Sequence, residues 1–210
     1  MDMSCDWNAT PWSGTETLEI AHFRPESSDH RPLTRARVLY DDAGIHGLFR
    51  VEDRFVLCKR TEYLDPVWKD SCVEFFVQPK RDGGYFNFEF NCGGALLCSH
   101  IVNPERVLGG FKEFTRLPPA IGQTIQTASS LPRKIDPETS EPTVWFLRFF
   151  VPVPVFEHYL GNLGDFSGQS WRANFYKCAD ESSHPHWAAW SPVDELNFHL
   201  PRCFGTIRFE

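Results

Sequence analysis

Long apolar stretches, paired cysteines and surplus positive charge are all missing from this 210-residue sequence. No run of about 18 apolar residues occurs, so no membrane-spanning helix is expected. The opening MDMSCDWNATPWSG lacks the basic segment followed by an apolar one that a secretory leader carries. The seven cysteines (Cys5, Cys58, Cys72, Cys92, Cys98, Cys178 and Cys203) are odd in number and form no C-x-x-C pair. That argues against a disulfide framework or a zinc knuckle and suits free thiols in a reducing compartment. A formal charge of -7 opposes attraction to phosphate backbones or anionic lipid, so neither nucleic acid nor a membrane is an expected partner. There is no G-x-S-x-G elbow, and GGALL and GNLGDFSG match neither glycine fingerprint of phosphate binding.

What the sequence does have is aromatic residues and frequent turns. Nineteen Phe and seven Trp stand among 16 Pro and 14 Gly that are spread along the chain, a composition suited to many short strands. Strand-like alternation recurs in LEIAHF (18–23), TRARVLYD (34–41), GIHGLFRVED (44–53), SCVEFFVQ (71–78), GYFNFEFN (84–91) and ALLCSHI (95–101). It returns in QTIQTA (123–128), TVWFLRFFV (143–151), SWRANFYKC (170–178) and FGTIRFE (204–210). DDAG (41–44) and PKRDGG (79–84) read as hairpin connections, because Asp and Gly tolerate the backbone such turns need. Only PVPVFEHYLG (152–161) has the look of a helical turn or two, opening on proline. The polar stretch 129–143 is expected to be a long loop. The sum is an all-β chain folded as one antiparallel β-sandwich domain over residues 1–210.

One hairpin can be worked out in register. Phe86, Phe88 and Phe90 alternate with Tyr85, Asn87, Glu89 and Asn91, giving one apolar and one polar face. Pairing Gln78 with Tyr85 sets Val73 against Phe90, Phe75 against Phe88 and Val77 against Phe86, burying every large apolar residue except Phe76. The same register places Glu74 directly beside Glu89, with Asn87 and Asn91 on the same surface. Like charges so placed cost up to about 1 kcal/mol. A nearby cation, a sugar's hydroxyl donors or a raised carboxyl pKa would each compensate.

The run YLDPVWKDSCVEFFVQP, followed by YFNFEFN, GGALL and the closing WRANFYKCADESSHPHWAAWSPVDELNFHLPRCFGTIRFE, resembles the family 9 carbohydrate-binding modules and their bacterial relatives. The resemblance implies a jelly-roll-like β-sandwich that holds a glycan end or small sugar between two tryptophans, beside hydrogen-bonding carboxylates and amides. Trp68 matches the loop tryptophan and Glu74 the glutamate that accepts sugar hydroxyls; Trp187 or Trp190 is the candidate second wall. Val73 and Glu89 stand where sugar-binding members can carry basic residues, so ligand preference does not transfer. Family members can hold structural calcium, but no acidic loop here is spaced to name its ligands. Secretion is compatible with the resemblance, in tension with the free thiols.

Physical chemistry agrees in kind: an exposed indole covers the apolar CH face of a sugar while carboxylates and amides take its hydroxyls. Trp68, flanked by Pro66, Lys69 and Asp70, is badly placed for a core residue, whereas Trp145 and Trp171 lie in strand alternation, and Trp7 and Trp12 can pin the N-terminal segment. The expected site is therefore Trp68, Glu74, Asn87, Glu89, Trp187 and Trp190, with no catalytic or metal-binding residue. The chief alternatives are a glycosidase using Glu74 and Glu89 as paired carboxylates and a protein-interaction sandwich. His184 and His186 of SSHPHWAAWSP (182–192) sit on one face of an extended segment, but a zinc site there would need His199, Cys178 or Asp180 as a further ligand.

Overall fold

In the computed structural model residues 3–210 are described, and their strands come in chain order. They begin with β1 (Leu18–Glu19), β2 (His22–Phe23), β3 (Leu33–Asp41), β4 (Gly44–Asp53) and β5 (Val56–Cys58). Next are β6 (Cys72–Gln78), β7 (Tyr85–Asn91), β8 (Leu96–Val107), β9 (Gly110–Arg116) and β10 (Gln126–Ser129). The chain closes with β11 (Ile135–Thr139), β12 (Thr143–Pro152), β13 (Ser170–Cys178), β14 (Trp187–Ala189) and β15 (Gly205–Arg208). Two short helices, α1 (Pro119–Gly122) and α2 (Val153–Leu160), interrupt them. All strand pairs are antiparallel. One sheet runs β1-β3-β4-β12-β10, the larger β2-β14-β13-β6-β7-β8-β9 with β15 on the free end of β13, and a two-stranded ribbon joins β11 to β5.

The two hairpins follow from their turn residues. Asp41 pairs with Gly44 across the β3–β4 turn, and its carboxylate accepts the amides of Ala43 and Gly44. At Gly84, φ is 71° and a side-chain carbon would sit 2.5 Å from the Ile101 carbonyl, so only glycine fits there. The register of β6 and β7 is the one read from the alternation: Val73↔Phe90, Phe75↔Phe88, Val77↔Phe86, and Glu74↔Glu89. The phenylalanines of that face interleave with the other sheet, with Phe149 stacking 5.4 Å from Phe75 and 5.1 Å from Phe90. Trp145 and Trp171 are buried in the same core, while Trp7 and Trp12 pack with Leu48 outside the smaller sheet.

Three expectations change. LEIAHF is two short strands in different sheets, β1 against β3 and β2 against β14, with Ile20 buried between them. The polar stretch 129–143 contains β11, a bulged partner of β5; its largely exposed residues gave no apolar alternation to read. Phe76 is fully buried, in a second cluster with Tyr85, Tyr176 and Phe204. The outer face of the large sheet is thus not open to solvent. The segment around 193–204 lies across part of it, and covering one Phe in this way contributes about 1.5–3 kcal/mol.

Candidate functional site

Strand alternation puts Cys72 and Glu74 of β6, Asn87 and Glu89 of β7, Leu97 and Ser99 of β8, and Cys178 of β13 on the outer face of the large sheet. All of these except Cys72 floor a cavity of about 500 Å³ whose walls include Trp68, Trp187, Phe111, Phe198 and His199. That volume is within the ~300–1,000 Å³ usual for small-ligand sites.

The Trp68 wall is a loop made rigid. Trp68 lies in a 3-10 turn (Val67–Lys69) beneath which buried Asp70 accepts the backbone amides of Lys59 and Arg60 and the Arg60 guanidinium at 2.9 Å. The Trp68 carbonyl accepts the Asp180 amide at 3.2 Å, and Lys69 pairs with Glu181 at 3.0 Å, tying the loop to the end of β13. Leu64 holds φ at 68°, a rare backbone for a leucine. Its amide donates to Leu96, and its carbonyl accepts from Arg116. Trp187 pairs with Cys178 across β14 and β13, and its indole Nε1 donates to Asp180 at 2.8 Å.

Trp190 is placed elsewhere. Three residues after Trp187, it turns to the opposite side, packs edge-on to Phe175 at 5.7 Å and covers Gly205 so closely that a Cβ there would meet its ring at 2.6 Å. It does not line the cavity. Five of the six expected residues, Trp68, Glu74, Asn87, Glu89 and Trp187, come together there; Trp190 does not.

The floor is electrostatically unusual. Glu74, Asn87 and Glu89 are only 2%, 2% and 4% exposed. Burial first, then Cys178 and the neighbouring Glu89, pushes the Glu74 carboxyl well above its ordinary range, and burial raises Glu89 to about 7 despite the Asn87 amide and the fields of Arg106 and Arg116. Glu74 accepts the Cys178 thiol at 3.2 Å, and Glu89 Oε1 accepts the Asn87 amide at 2.6 Å. Glu89 Oε2 and Asn87 Oδ1, both buried, have no partner. Both carboxyl groups stand on one wall, on adjacent strands, rather than on opposite sides of the cavity.

Cys72, Glu74 and Cys178 are the one group of three potential metal ligands brought within 4.8 Å of one another among the described residues. Two sulfurs and one carboxylate suit a soft ion and not calcium, which takes six to eight oxygens. Burial pushes the Cys72 thiol up to about 12, so an ion there would have to displace held protons. The histidines of the HPH motif lie apart from this floor. His186 Nε2 is 2.8 Å from Lys177 Nζ, while His184 stacks on Phe55 at 3.6 Å. His199, Cys178 and Asp180 line the cavity, so the five do not converge on one metal position.

Arg106 and Arg116 from the β8–β9 hairpin went unread in the sequence, and Asp180 and His199, noted there only as possible zinc ligands, line this cavity instead. Bulges at Ile101–Asn103 and Asn103–Arg106 break the period-two alternation in β8, so there was no regular pattern to extend past Ile101.

A β-sandwich with a walled, polar-floored cavity on one sheet is a ligand-binding module, and comparison with known proteins supplies its family. Carbohydrate-binding family 9 matches residues 13–209, and the chain belongs to that family of noncatalytic carbohydrate-binding modules. A Bacteroides uniformis protein provisionally described as carbohydrate-binding has 29% identity and a TM-score of 0.83, over 94% of this chain and 88% of that one. A family 9 module from Caldicellulosiruptor kristjanssonii, solved with glucose, has 13% identity and a TM-score of 0.64 over 100% of this chain and 90% of that one. Its cellotriose complex gives 13% and 0.63, over 100% and 88%. At 13% identity the likeness is one of fold. No curated protein matches the sequence.

Proposed function

We propose that the cavity on the outer face binds a glycan end or a small sugar without chemical conversion, in a single module spanning residues 1–210. Trp68 serves as the platform and Trp187 as a second apolar wall, while Glu74, Asn87 and Glu89 take hydroxyl groups. The observation that carries this reading is the pair of orphaned oxygens, Glu89 Oε2 and Asn87 Oδ1, buried on residues of the cavity that both indoles line. Leaving such atoms unpaired costs about 1–3 kcal/mol each. A sugar hydroxyl both donates and accepts, so vicinal hydroxyls satisfy the amide oxygen and the carboxyl together while the ring's CH face lies on indole. The solved complexes of the Caldicellulosiruptor module with glucose and cellotriose support a sugar as the ligand class. The arrangement also argues against glycoside hydrolysis, which needs two carboxyls flanking the scissile bond, whereas here both share one wall. Calorimetry of the wild type and Trp68→Ala against a panel of mono- and oligosaccharides tests the proposal. Saturable binding lost in the variant is expected; binding that survives unchanged would remove this site.

A further inference from the structure

We infer that the sugar preferred by this cavity carries an anionic substituent, a carboxylate or a sulfate ester, seated at Arg106 and Arg116. The inference rests on reading the cavity as a sugar site and goes on to name the class of sugar.

The two arginines enter from the β8–β9 hairpin, one from each strand, at the side of the cavity formed by Phe111 and Phe114. Arg106 sits over the Phe111 ring, its guanidinium carbon 4.2 Å from the centroid. That cation–π contact anchors the guanidinium at the cavity edge while its N–H groups can still donate. Arg116 spends one Nη on the Leu64 carbonyl at 3.2 Å. Among the described residues neither guanidinium has a carboxylate within ion-pairing distance, although most arginines and lysines that form ion pairs here do so at 2.5–3.5 Å.

Glu89 is the obvious internal counter-charge, and it is engaged otherwise: one oxygen accepts from Asn87 and the other is unpartnered. Burial raises both the Glu89 and the Glu74 carboxyls, which weakens the floor's negative charge against two arginines. A planar guanidinium pairs best with carboxylate or sulfate, through two parallel N–H···O bonds. A neutral sugar would leave those donors to water. An anionic one can lay its ring on the Trp68 side, give hydroxyls to Asn87 and Glu89, and place its charge at the arginines. Of the two positions where the family resemblance allows a basic residue, Val73 faces the core and Glu89 lies in the cavity; the positive charge there comes instead from the β8–β9 pair.

Calorimetry with glucose, glucuronate and glucose 6-sulfate, at low and at raised salt, tests this directly. At least one anionic sugar is expected to bind about tenfold or more tightly than glucose, with an advantage that shrinks in salt. Arg106→Ala and Arg116→Ala, both exposed positions whose variants can be checked for an unchanged melting temperature, should each erase most of that advantage. Because both arginines line the cavity and Arg116 also holds the Leu64 carbonyl of the Trp68 loop, the readout is the ratio of anionic to neutral affinity, which should fall towards one in each variant. Equal or tighter binding of glucose, or an anionic advantage untouched in both variants, would overturn the inference alone. Absence of all sugar binding, with Trp68→Ala indistinguishable from wild type, would overturn the sugar reading with it.

Discussion

Two groups of charged side chains are buried in this sandwich, on opposite faces of the large sheet, and they meet the cost of burial in opposite ways. On the inner face Lys177, fully buried, lies 3.5 Å from Asp53, which His30 contacts at 2.7 Å; His186 completes the group at 2.8 Å from the Lys177 ammonium. Burial alone would raise Asp53, but Lys177 and His30 outweigh it and hold the carboxyl well below its usual range. Burial, then Lys177, lowers His186 to about 3, so its ring is neutral. Opposite charges and a neutral acceptor satisfy one another. On the outer face two carboxyls stand side by side, one amide and one thiol serve them, and two oxygens are left over. The inner group balances its charges internally, its one oxygen without a hydrogen bond, Asp53 Oδ2, still facing the Lys177 ammonium at 3.5 Å, and it belongs to the fold. The outer one leaves two oxygens for a ligand to meet, which is why we propose it as the binding floor.

The largest effect should come from opening the closed group. Lys177→Met removes one partner of a buried pair and strands Asp53, which typically costs about 3–5 kcal/mol. Chemical denaturation should report that loss, while sugar binding per folded molecule stays unchanged because Lys177 points away from the cavity. A loss below about 1 kcal/mol would mean that the pair does not hold the sandwich closed. Trp68→Ala should show the reverse pattern. A central tryptophan at an interface is worth about 2 kcal/mol or more, roughly a 30-fold fall in sugar affinity. Its half-buried ring on a loop anchored by Asp70 should make the stability change much smaller.

The contrast between the groups can be sharpened by pH. Glu89, raised to about 7, keeps its proton in the fold where the unfolded chain has lost it, so its contribution to stability falls as pH rises from 4.5 towards about 7. His186 is neutral in the fold where the unfolded chain is protonated, so its contribution falls as pH drops below 6.5 towards about 3. Each slope is at most about 1.4 kcal/mol per pH unit, and between 4.5 and 6.5 they oppose one another. Glu89→Gln deletes the first slope. Glu74 acts in the same direction as Glu89, and His199, lowered to about 3, in the same direction as His186, so the test is the difference: the variant's stability should rise relative to the wild type's with pH over this window. Parallel wild-type and variant curves would show that Glu89 is ionised throughout.

Both groups contain residues that the sequence brings to notice, but only one could be assigned from it. Glu74 and Glu89 were legible because β6 and β7 alternate without interruption and a six-residue connection fixes their register. His184 and His186 also stand out, yet the rings they meet, Phe55 and His30, are more than a hundred residues distant and on other elements. No local spacing encodes that contact. The same limit hid the layer over Phe76, which consists of irregular chain, and the arginines beyond the β8 bulges.

The smallest effect separates the two tryptophans that the sequence left as alternatives. Trp190→Phe trims a half-buried ring packed on Phe175 and Gly205, a shape change of about 1 kcal/mol in stability. Because that ring lies away from the cavity, sugar affinity should stay within about twofold. Trp187→Phe keeps an aromatic wall but loses the indole N–H held by Asp180, a hydrogen bond to a charged group worth about 1.5–3 kcal/mol. At this half-exposed rim the value lies at or below the low end. Its loss should appear as weaker sugar binding, since Asp180 then no longer fixes the plane of the wall. If Trp190→Phe weakened binding more than Trp187→Phe, the wall would be formed by the other ring, and β14 would have to turn over when sugar binds.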